Sequence, residues 1–288
     1  QQLLSILVAV QNLGYTSNSE LVSALSNEIL VGKDETSDKD KISDLKTMEI
    51  CGILQTWARI GLHKKWASQV LLSEILKEHR KQDFTPLSVA LIVHAMGLNA
   101  LYDKELIDYF QSEWFTAERL KGFDDHLLAA MICGLARLPV RCVDAMKLVI
   151  NEMTQPYRLL RCSSISLIGV LHSMALIGYL DKSARLCLLD ETVKEQRLKM
   201  MSERCLAVLV YTIGRMKDLF YKRIGYSESV MQETMLPHRL PAFDNQGLSN
   251  TLLGLGNMDY PHHNQVKTVT NELLKPHRFE DQIGRAHV

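Results

Sequence analysis

Residues 84–113 read FTPLSVALIVHAMGLNALYDKELIDYFQSE, and residues 123–152 read FDDHLLAAMICGLARLPVRCVDAMKLVINE. The two stretches align without a gap. Each opens on an aromatic residue followed by Thr85 or Asp124. Each then places a large apolar side chain at Val93 or Ile132, a small one at Gly97 or Ala136, and a glutamate at Glu113 or Glu152. The glutamate extends outward into a column of seven, Glu28, Glu74, Glu113, Glu152, Glu191, Glu233 and Glu272, separated by 46, 39, 39, 39, 42 and 39 residues. A fixed period near 39 is the mark of a repeat protein. It moves the functional question from a catalytic pocket to an extended surface.

Other columns keep the same register. An apolar residue stands at Leu45, Phe84, Phe123, Cys162, Met201 and Phe243, and the next position is Thr85, Asp124, Ser163, Ser202 or Asp244 in all but the first, where it is Lys46 followed by Thr47. Such a pair starts a helix, because the side-chain oxygen accepts an orphan N–H of the first turn and the apolar group can staple back onto it. Pro86 fits the first helical position, where its missing N–H costs nothing. Further along runs a wholly apolar column, Leu7, Leu54, Val93, Ile132, Leu171, Val210 and Leu252. Four residues later comes a small one at Ala58, Gly97, Ala136, Ala175, Gly214 and Gly256, with Gln11 the exception. Positions four apart share a helix face, so this pairing predicts helices packed closely on their neighbours. A turn follows near Tyr15, Leu62, Leu101, Val140, Tyr179 and Tyr260. A second helix then carries Leu25, Leu71, Phe110, Val149, Leu188, Val230 or Val269 three residues before each glutamate.

The expected fold is all-α: a right-handed-type alpha-alpha solenoid of about seven helix-turn-helix repeats with a period near 39, forming one array over residues 1–282. Each unit is two antiparallel helices and a linker of about ten residues. The charged stretch Val31–Asp44 reads as an exposed loop between the first two repeats, and three extra residues of the sixth fall near Lys217–Gly225. The terminal string IGRAHV, residues 283–288, is what the sequencing adapter ATCGGAAGAGCACACGTC encodes in one frame, so it reads as an adapter-derived, non-native tail. At the other end the chain opens at Gln1 inside a predicted helix, so any targeting peptide would precede it.

Composition narrows the function classes. The net charge is zero, which argues against a generic polyanion binder, but the charge is uneven. Residues 1–46 hold four Lys against seven Asp or Glu, whereas residues 156–241 hold thirteen Lys or Arg against eight Asp or Glu. No apolar run reaches the ~20 residues of a membrane span. Cys51, Cys133, Cys142, Cys162, Cys187 and Cys205 show no metal-like spacing and read as reduced packing residues. Asp124-Asp125-His126 and His262-His263 sit at helix starts or turns and read as caps rather than metal ligands. Trp57, Trp66 and Trp114 read as core or inter-repeat packing. No Gly-rich phosphate loop, nucleophile elbow or catalytic carboxylate pair is present. Neither an enzyme nor a cofactor is expected.

For the glutamate column, the expectation is structural: seven carboxylates cannot favour phosphate, and each would accept hydrogen bonds from the next helix start or pair with a Lys or Arg. A modular RNA reader would set polar side chains at one position per repeat. Three residues before the Tyr15 column stand Asn12, Arg59, Leu98, Arg137, Leu176, Arg215 and Asn257, where two leucines break any code. Phosphate contact is expected instead at local basic clusters: Lys64 with Lys65; Arg158 with Arg161; Arg197 with Lys199 and Arg204; and Arg215, Lys217, Lys222 and Arg223.

Three first-helix stretches, Leu3–Tyr15 (LLSILVAVQNLGY), Leu167–Tyr179 (LIGVLHSMALIGY) and Leu248–Tyr260 (LSNTLLGLGNMDY), resemble the first helix of octotricopeptide repeats and of the helical repeats that precede RAP domains in organellar proteins. The resemblance runs over residues 1–282. The PPPEW-type motif and a RAP domain are absent from these residues. The resemblance implies organellar RNA work. It implies a lineage-specific component of a mitochondrial ribosome that binds and stabilises rRNA among neighbouring proteins, with no small-molecule substrate and no membrane. The alternatives are a free organellar RNA maturation or translation factor, and a protein scaffold of the armadillo or HEAT kind.

Overall fold

In the computed structural model every described element is helical. The structure describes residues 42–61, 65–179, 181–216, 220–258 and 263–278, together with isolated helical positions among residues 5–24; the side chains of residues 65 and 220–224 are not described. The chain divides into two compact bodies, Gln1–Met153 and Thr154–Val288. The first holds α1 (Thr47–Arg59), α2 (Lys65–Ile75), α3 (Glu78–Lys81), α4 (Pro86–Leu98), α5 (Lys104–Glu113), α6 (Ala117–Leu120), α7 (Asp125–Leu135) and α8 (Val143–Met153). The second holds α9 (Pro156–Arg161), α10 (Ser164–Ile177), α11 (Lys182–Thr192), α12 (Glu195–Met200), α13 (Glu203–Arg215), α14 (Phe220–Thr234), a 3-10 turn (Leu240–Ala242), α15 (Asn245–Gly256) and α16 (His263–Leu273).

The long first helices begin where their cap residues stand. The positions preceding them are Lys46, Thr85, Asp124, Ser163, Ser202 and Asp244. Thr85, Ser163, Ser202 and Asp244 each accept an N–H three residues on, at 3.2, 3.1, 3.4 and 2.6 Å. Asp124 makes no such bond. At Lys46 the cap works in reverse, its backbone N–H donating to Glu49 Oε2 at 2.8 Å. Gly178 ends α10 in the left-handed region at φ 64°, which glycine adopts without a Cβ penalty.

Within each body the first helices lie side by side, α1 on α4 on α7, and α10 on α13 on α15. Their apolar column is sealed, with Leu54, Val93, Ile132, Leu171 and Val210 at most 1% exposed, while Leu252 is only half-buried. The second-helix column is tighter still: Leu71, Phe110, Val149, Leu188, Val230 and Val269 are all 0% exposed. Small residues let two backbones touch. A Cβ on Gly97 would lie 2.6 Å from Gly134 Cα, and one on Gly214 would lie 3.0 Å from Gly254 Cα. The partner glycines stand two residues before the expected column. Gly256, expected in it, faces open space.

The expected plain linker is in fact a third, short helix or turn: α3, α6, α9, α12 and the 3-10 turn. Thr116 caps α6 through the Arg119 N–H at 3.3 Å, and Pro156 opens α9. These short elements carry the contact that explains the glutamate column. Glu74, Glu113, Glu152, Glu191, Glu233 and Glu272 fall in the last turn of their helices, where the negative end of the macrodipole repels a carboxylate. Six residues after each stands an arginine: Arg80, Arg119, Arg158, Arg197, Arg239 and Arg278.

Four of these pairs close into the same staple. The ion pairs are Arg80–Glu74 at 2.8 Å, Arg197–Glu191 at 2.8 Å, Arg239–Glu233 at 2.7 Å and Arg278–Glu272 at 2.7 Å. The remaining guanidinium N–H groups donate to carbonyls 35 to 41 residues upstream. Arg80 reaches those of Ile42, Ser43 and Leu45, and Arg197 those of Leu159, Leu160 and Cys162. Arg239 reaches those of Leu198, Lys199 and Met201, and Arg278 those of Pro241 and Phe243. Lysines three residues after the glutamate add a second cation at Lys77, Lys194 and Lys275, at 2.5, 2.6 and 2.7 Å. Burial raises the carboxyl pKa of Glu74, Glu191 and Glu272, but the hydrogen bonds from these lysines and arginines outweigh it and hold all three below the usual range.

Two stability experiments follow from this packing. Arg80→Met removes one of two cations from a 6%-exposed carboxylate, leaving Lys77 at 2.5 Å, and empties three carbonyl acceptors. Its cost should approach but not exceed the about 3–5 kcal/mol of a buried charge left uncompensated. The urea midpoint of Arg80→Met should drop far more than that of Arg137→Met, a change at an exposed arginine; equal midpoints would remove the staple from the account. Alanine for glycine in a helix normally gains roughly 0.5–1 kcal/mol. Gly97→Ala should nonetheless lower the melting temperature, because its Cβ meets Gly134 backbone, while Gly256→Ala should not.

Candidate nucleic-acid interface

The staple reassigns the basic residues expected to grip phosphate. Arg197 is bound by Glu191 and three carbonyls, so its fork is filled before any ligand arrives. Arg158 is 0% exposed and does not face solvent. These two are corrections: both stand at the position six after a glutamate, where an arginine serves the fold. Lys199 is exposed but ion-paired to Glu195 at 2.5 Å. Arg161 is exposed, with its guanidinium 5.7 Å from the Tyr157 ring centroid. Lys64 and Lys217 lie outside the described residues. Lys65, Lys222 and Arg223 lie in helices whose side chains are not described at those positions. Arg204 and Arg215 are exposed at opposite ends of α13.

Of the thirteen cations between 156 and 241, six are therefore buried or ion-paired: Arg158, Arg185, Lys194, Arg197, Lys199 and Arg239. The local basic excess is in good part internal wiring.

Several cations have no carboxylate partner among the described residues, and two of them, Arg59 and Arg137, stand at or just past the C-terminal ends of α1 and α7. Residues four apart share one side of a helix: buried Gln55 with exposed Arg59 on α1, and His94 with Leu98 on α4. Arg137, in the turn after α7, donates from Nη1 to the Cys133 carbonyl at 2.8 Å. Gln55 Nε2 lies 2.7 Å from His94 Nδ1 and joins two neighbouring helices. Arg59 and Arg137 are exposed, and neither has a carboxylate partner among the described residues. Both act on His94 from either side. Burial, then the charges of Arg137 and Arg59, push this imidazole down to about 4, so it is neutral at physiological pH. On the second body the equivalent face carries His172, Tyr211 and Arg215. The His172 and Tyr211 rings are 5.7 Å apart, and Arg215 Nη1 donates to the Tyr211 hydroxyl at 3.1 Å. Exposed apolar side chains also stand on the first helices, Leu87 on α4, Ile165 on α10 and Leu253 on α15. Sequence reading had named this column and set it aside for its leucines. Leu98 is half-buried, whereas Leu176 is 37% exposed.

Other expected residues distribute unevenly. Trp57 and Trp114 are buried as expected, but Trp66 is 52% exposed, lining a shallow cavity with Ile42, Val70 and Glu74. Val140, expected at an apolar turn, is 44% exposed. Cys51 and Cys162 are buried, the other four cysteines half-buried, and burial pushes the Cys51 thiol up to about 12. Among the described residues no three His, Cys, Asp or Glu side chains converge as a metal site requires. Compared with known proteins, the chain matches no protein-family model and no curated protein sequence.

His94 supplies a pH test. Its folded value of about 4 lies below its ordinary 6.5, so in that window the unfolded chain binds the extra proton and stability falls as pH drops. The depressed carboxyls of Glu74, Glu191 and Glu272 act in the same direction at lower pH. His94→Gln should flatten the fall in urea midpoint between about pH 6.5 and 4.5 while leaving the steeper loss below it. An unchanged slope would assign the titration to another group.

Proposed function

We propose that this protein is an RNA-associated structural protein, a helical-repeat solenoid that grips RNA backbone along the exposed face of its first helices. The observation that carries the reading is the cationic face of the first body, where Arg59 and Arg137 flank a neutral His94 with no carboxylate against them. Cations without counter-ions supply sequence-independent affinity for phosphate, and the interrupted Arg59–Leu98–Arg137 column supplies no base-by-base code. Arg204 and Arg215 extend the same role on the second body. The resemblance to organellar helical repeats is the support for reading this work as that of a fixed, rRNA-holding component of a mitochondrial ribosome. The exposed apolar residues Leu87, Ile165 and Leu253 on the first helices suit protein neighbours in such a particle.

The armadillo- or HEAT-like scaffold remains the second reading, favoured by those same apolar residues. It separates from the first by charge. With a single-stranded RNA probe, Arg59→Glu with Arg137→Glu should flatten the slope of log affinity against log salt by roughly 1.4, two phosphate contacts at about 0.7 each. In a mitochondrial lysate, the wild-type chain should co-sediment with ribosomal subunits and leave them on RNase treatment. Sedimentation at low mass with and without RNase would end the ribosomal assignment.

A further inference from the structure

One register position breaks the staple. Glu113 and Arg119 keep the six-residue spacing, yet both side chains are exposed and no ion pair joins them. The cause is local. α5 stops at Glu113, whereas α2, α8, α11, α14 and α16 each run one residue past their glutamate, to Ile75, Met153, Thr192, Thr234 and Leu273. The residue after Glu113 is Trp114, whose indole turns inward and is only 8% exposed. It packs edge-on against Phe84 at 6.5 Å and Phe123 at 6.2 Å, the two aromatic residues that open successive repeats. Phe110 completes the cluster at 5.5 Å from Phe84. This joint is held by rings instead of by a buried guanidinium.

Arg119 is thereby released. Its guanidinium lies over the Trp114 ring, 4.6 Å from the centroid. A guanidinium lying over an aromatic ring leaves its in-plane N–H groups open to other acceptors, and the side chain of Arg119 makes no hydrogen bond or ion pair with any described residue. The planar guanidinium is itself pre-organised, so less side-chain entropy is lost per hydrogen bond formed. An exposed, pre-oriented, unspent fork matches an oxyanion with two acceptor oxygens.

We infer that Arg119 is a phosphate-binding residue on the linker edge of the first body, diverted from the fold's own staple to receive the RNA backbone. The inference rests on the RNA reading above and adds a second contact surface to it.

Binding and melting together test it. The probe is a fluorescein-labelled oligouridylate of about 20 nucleotides, titrated by anisotropy from about 50 to 200 mM KCl. Arg119→Ala should weaken binding about three- to tenfold at the lowest salt and flatten the salt slope by about 0.7, one single-strand phosphate. Arg119→Lys should restore part of both. The melting temperature of Arg119→Ala should stay near wild type, while Arg239→Ala, the stapled counterpart, falls clearly. Binding unchanged in Arg119→Ala, with Arg59→Glu/Arg137→Glu impaired, overturns this inference and leaves the RNA reading standing. A melting loss equal to that of Arg239→Ala makes Arg119 structural and also overturns it. A wild-type chain that does not bind the probe overturns both.

Discussion

A carboxylate buried in the last turn of a helix is a liability, and the fold is arranged around discharging it. Desolvation and the negative end of the helix macrodipole both oppose Glu74, Glu191, Glu233 and Glu272 where they stand. One guanidinium offsets both effects and then does a third task. Arg80, Arg197, Arg239 and Arg278 donate to the carbonyls of Ser43, Cys162, Met201 and Phe243, which lie 35 to 38 residues upstream and outside any helix. Helix end, short linker and preceding linker are thus tied at a single planar group. Lysine could supply the charge but not the fork.

This constraint explains where the repeat tolerates change. The six-residue step from glutamate to arginine is the same at all six positions. The reach from arginine to the upstream carbonyl is 35 residues at Arg80, Arg197 and Arg278, but 38 at Arg239, where α14 runs 15 residues against 10 or 11 in α2, α5, α8, α11 and α16. Extra length in that helix leaves the staple intact. An insertion between glutamate and arginine would separate a buried charge from its partner. The Trp114 joint is the complementary case: the spacing survives, but a bulky ring inserted beside it ends α5 one residue early and ejects the arginine.

Much of this was legible in residue order. Helix starts followed from side chains that cap, and Phe110, Val149, Leu188, Val230 and Val269 marked the sealed face because each recurs three residues before a glutamate. The short linker helices were missed, since four to six residues are too few for a period to appear; only Thr116 and Pro156 signalled them. The arginine column was missed for a different reason. Arginines were grouped by local cluster, as a search for phosphate contacts invites, and not by register, where Arg80, Arg197, Arg239 and Arg278 stand in line. Close helix approach was foreseen, but its partner glycines Gly134 and Gly254 sit two residues off the expected column, a shift that depends on how neighbouring helices slide and not on either sequence alone.

Register therefore separates two populations of arginine that composition merges. Arg80, Arg158, Arg197, Arg239 and Arg278, six residues after a glutamate, are buried or ion-paired within the fold, and Arg119 is the exception; the excess of positive charge between 156 and 241 therefore overstates what a ligand can meet. Those in the column of Arg59, Arg137 and Arg215 face outward without carboxylates, and their count is small. A chain of zero net charge can still present a cationic face if its carboxylates are turned inward against guanidinium groups, and the glutamate column does this. Each staple removes one carboxylate from the surface as well as one arginine, leaving the balance of charge unaltered and its location changed. On the RNA-binding reading proposed above, the staple would bear on recognition as well as stability. It holds Glu74, Glu191, Glu233 and Glu272 against arginines at the ends of the second helices, so these carboxylates do not offset Arg59 and Arg137 at the ends of the first.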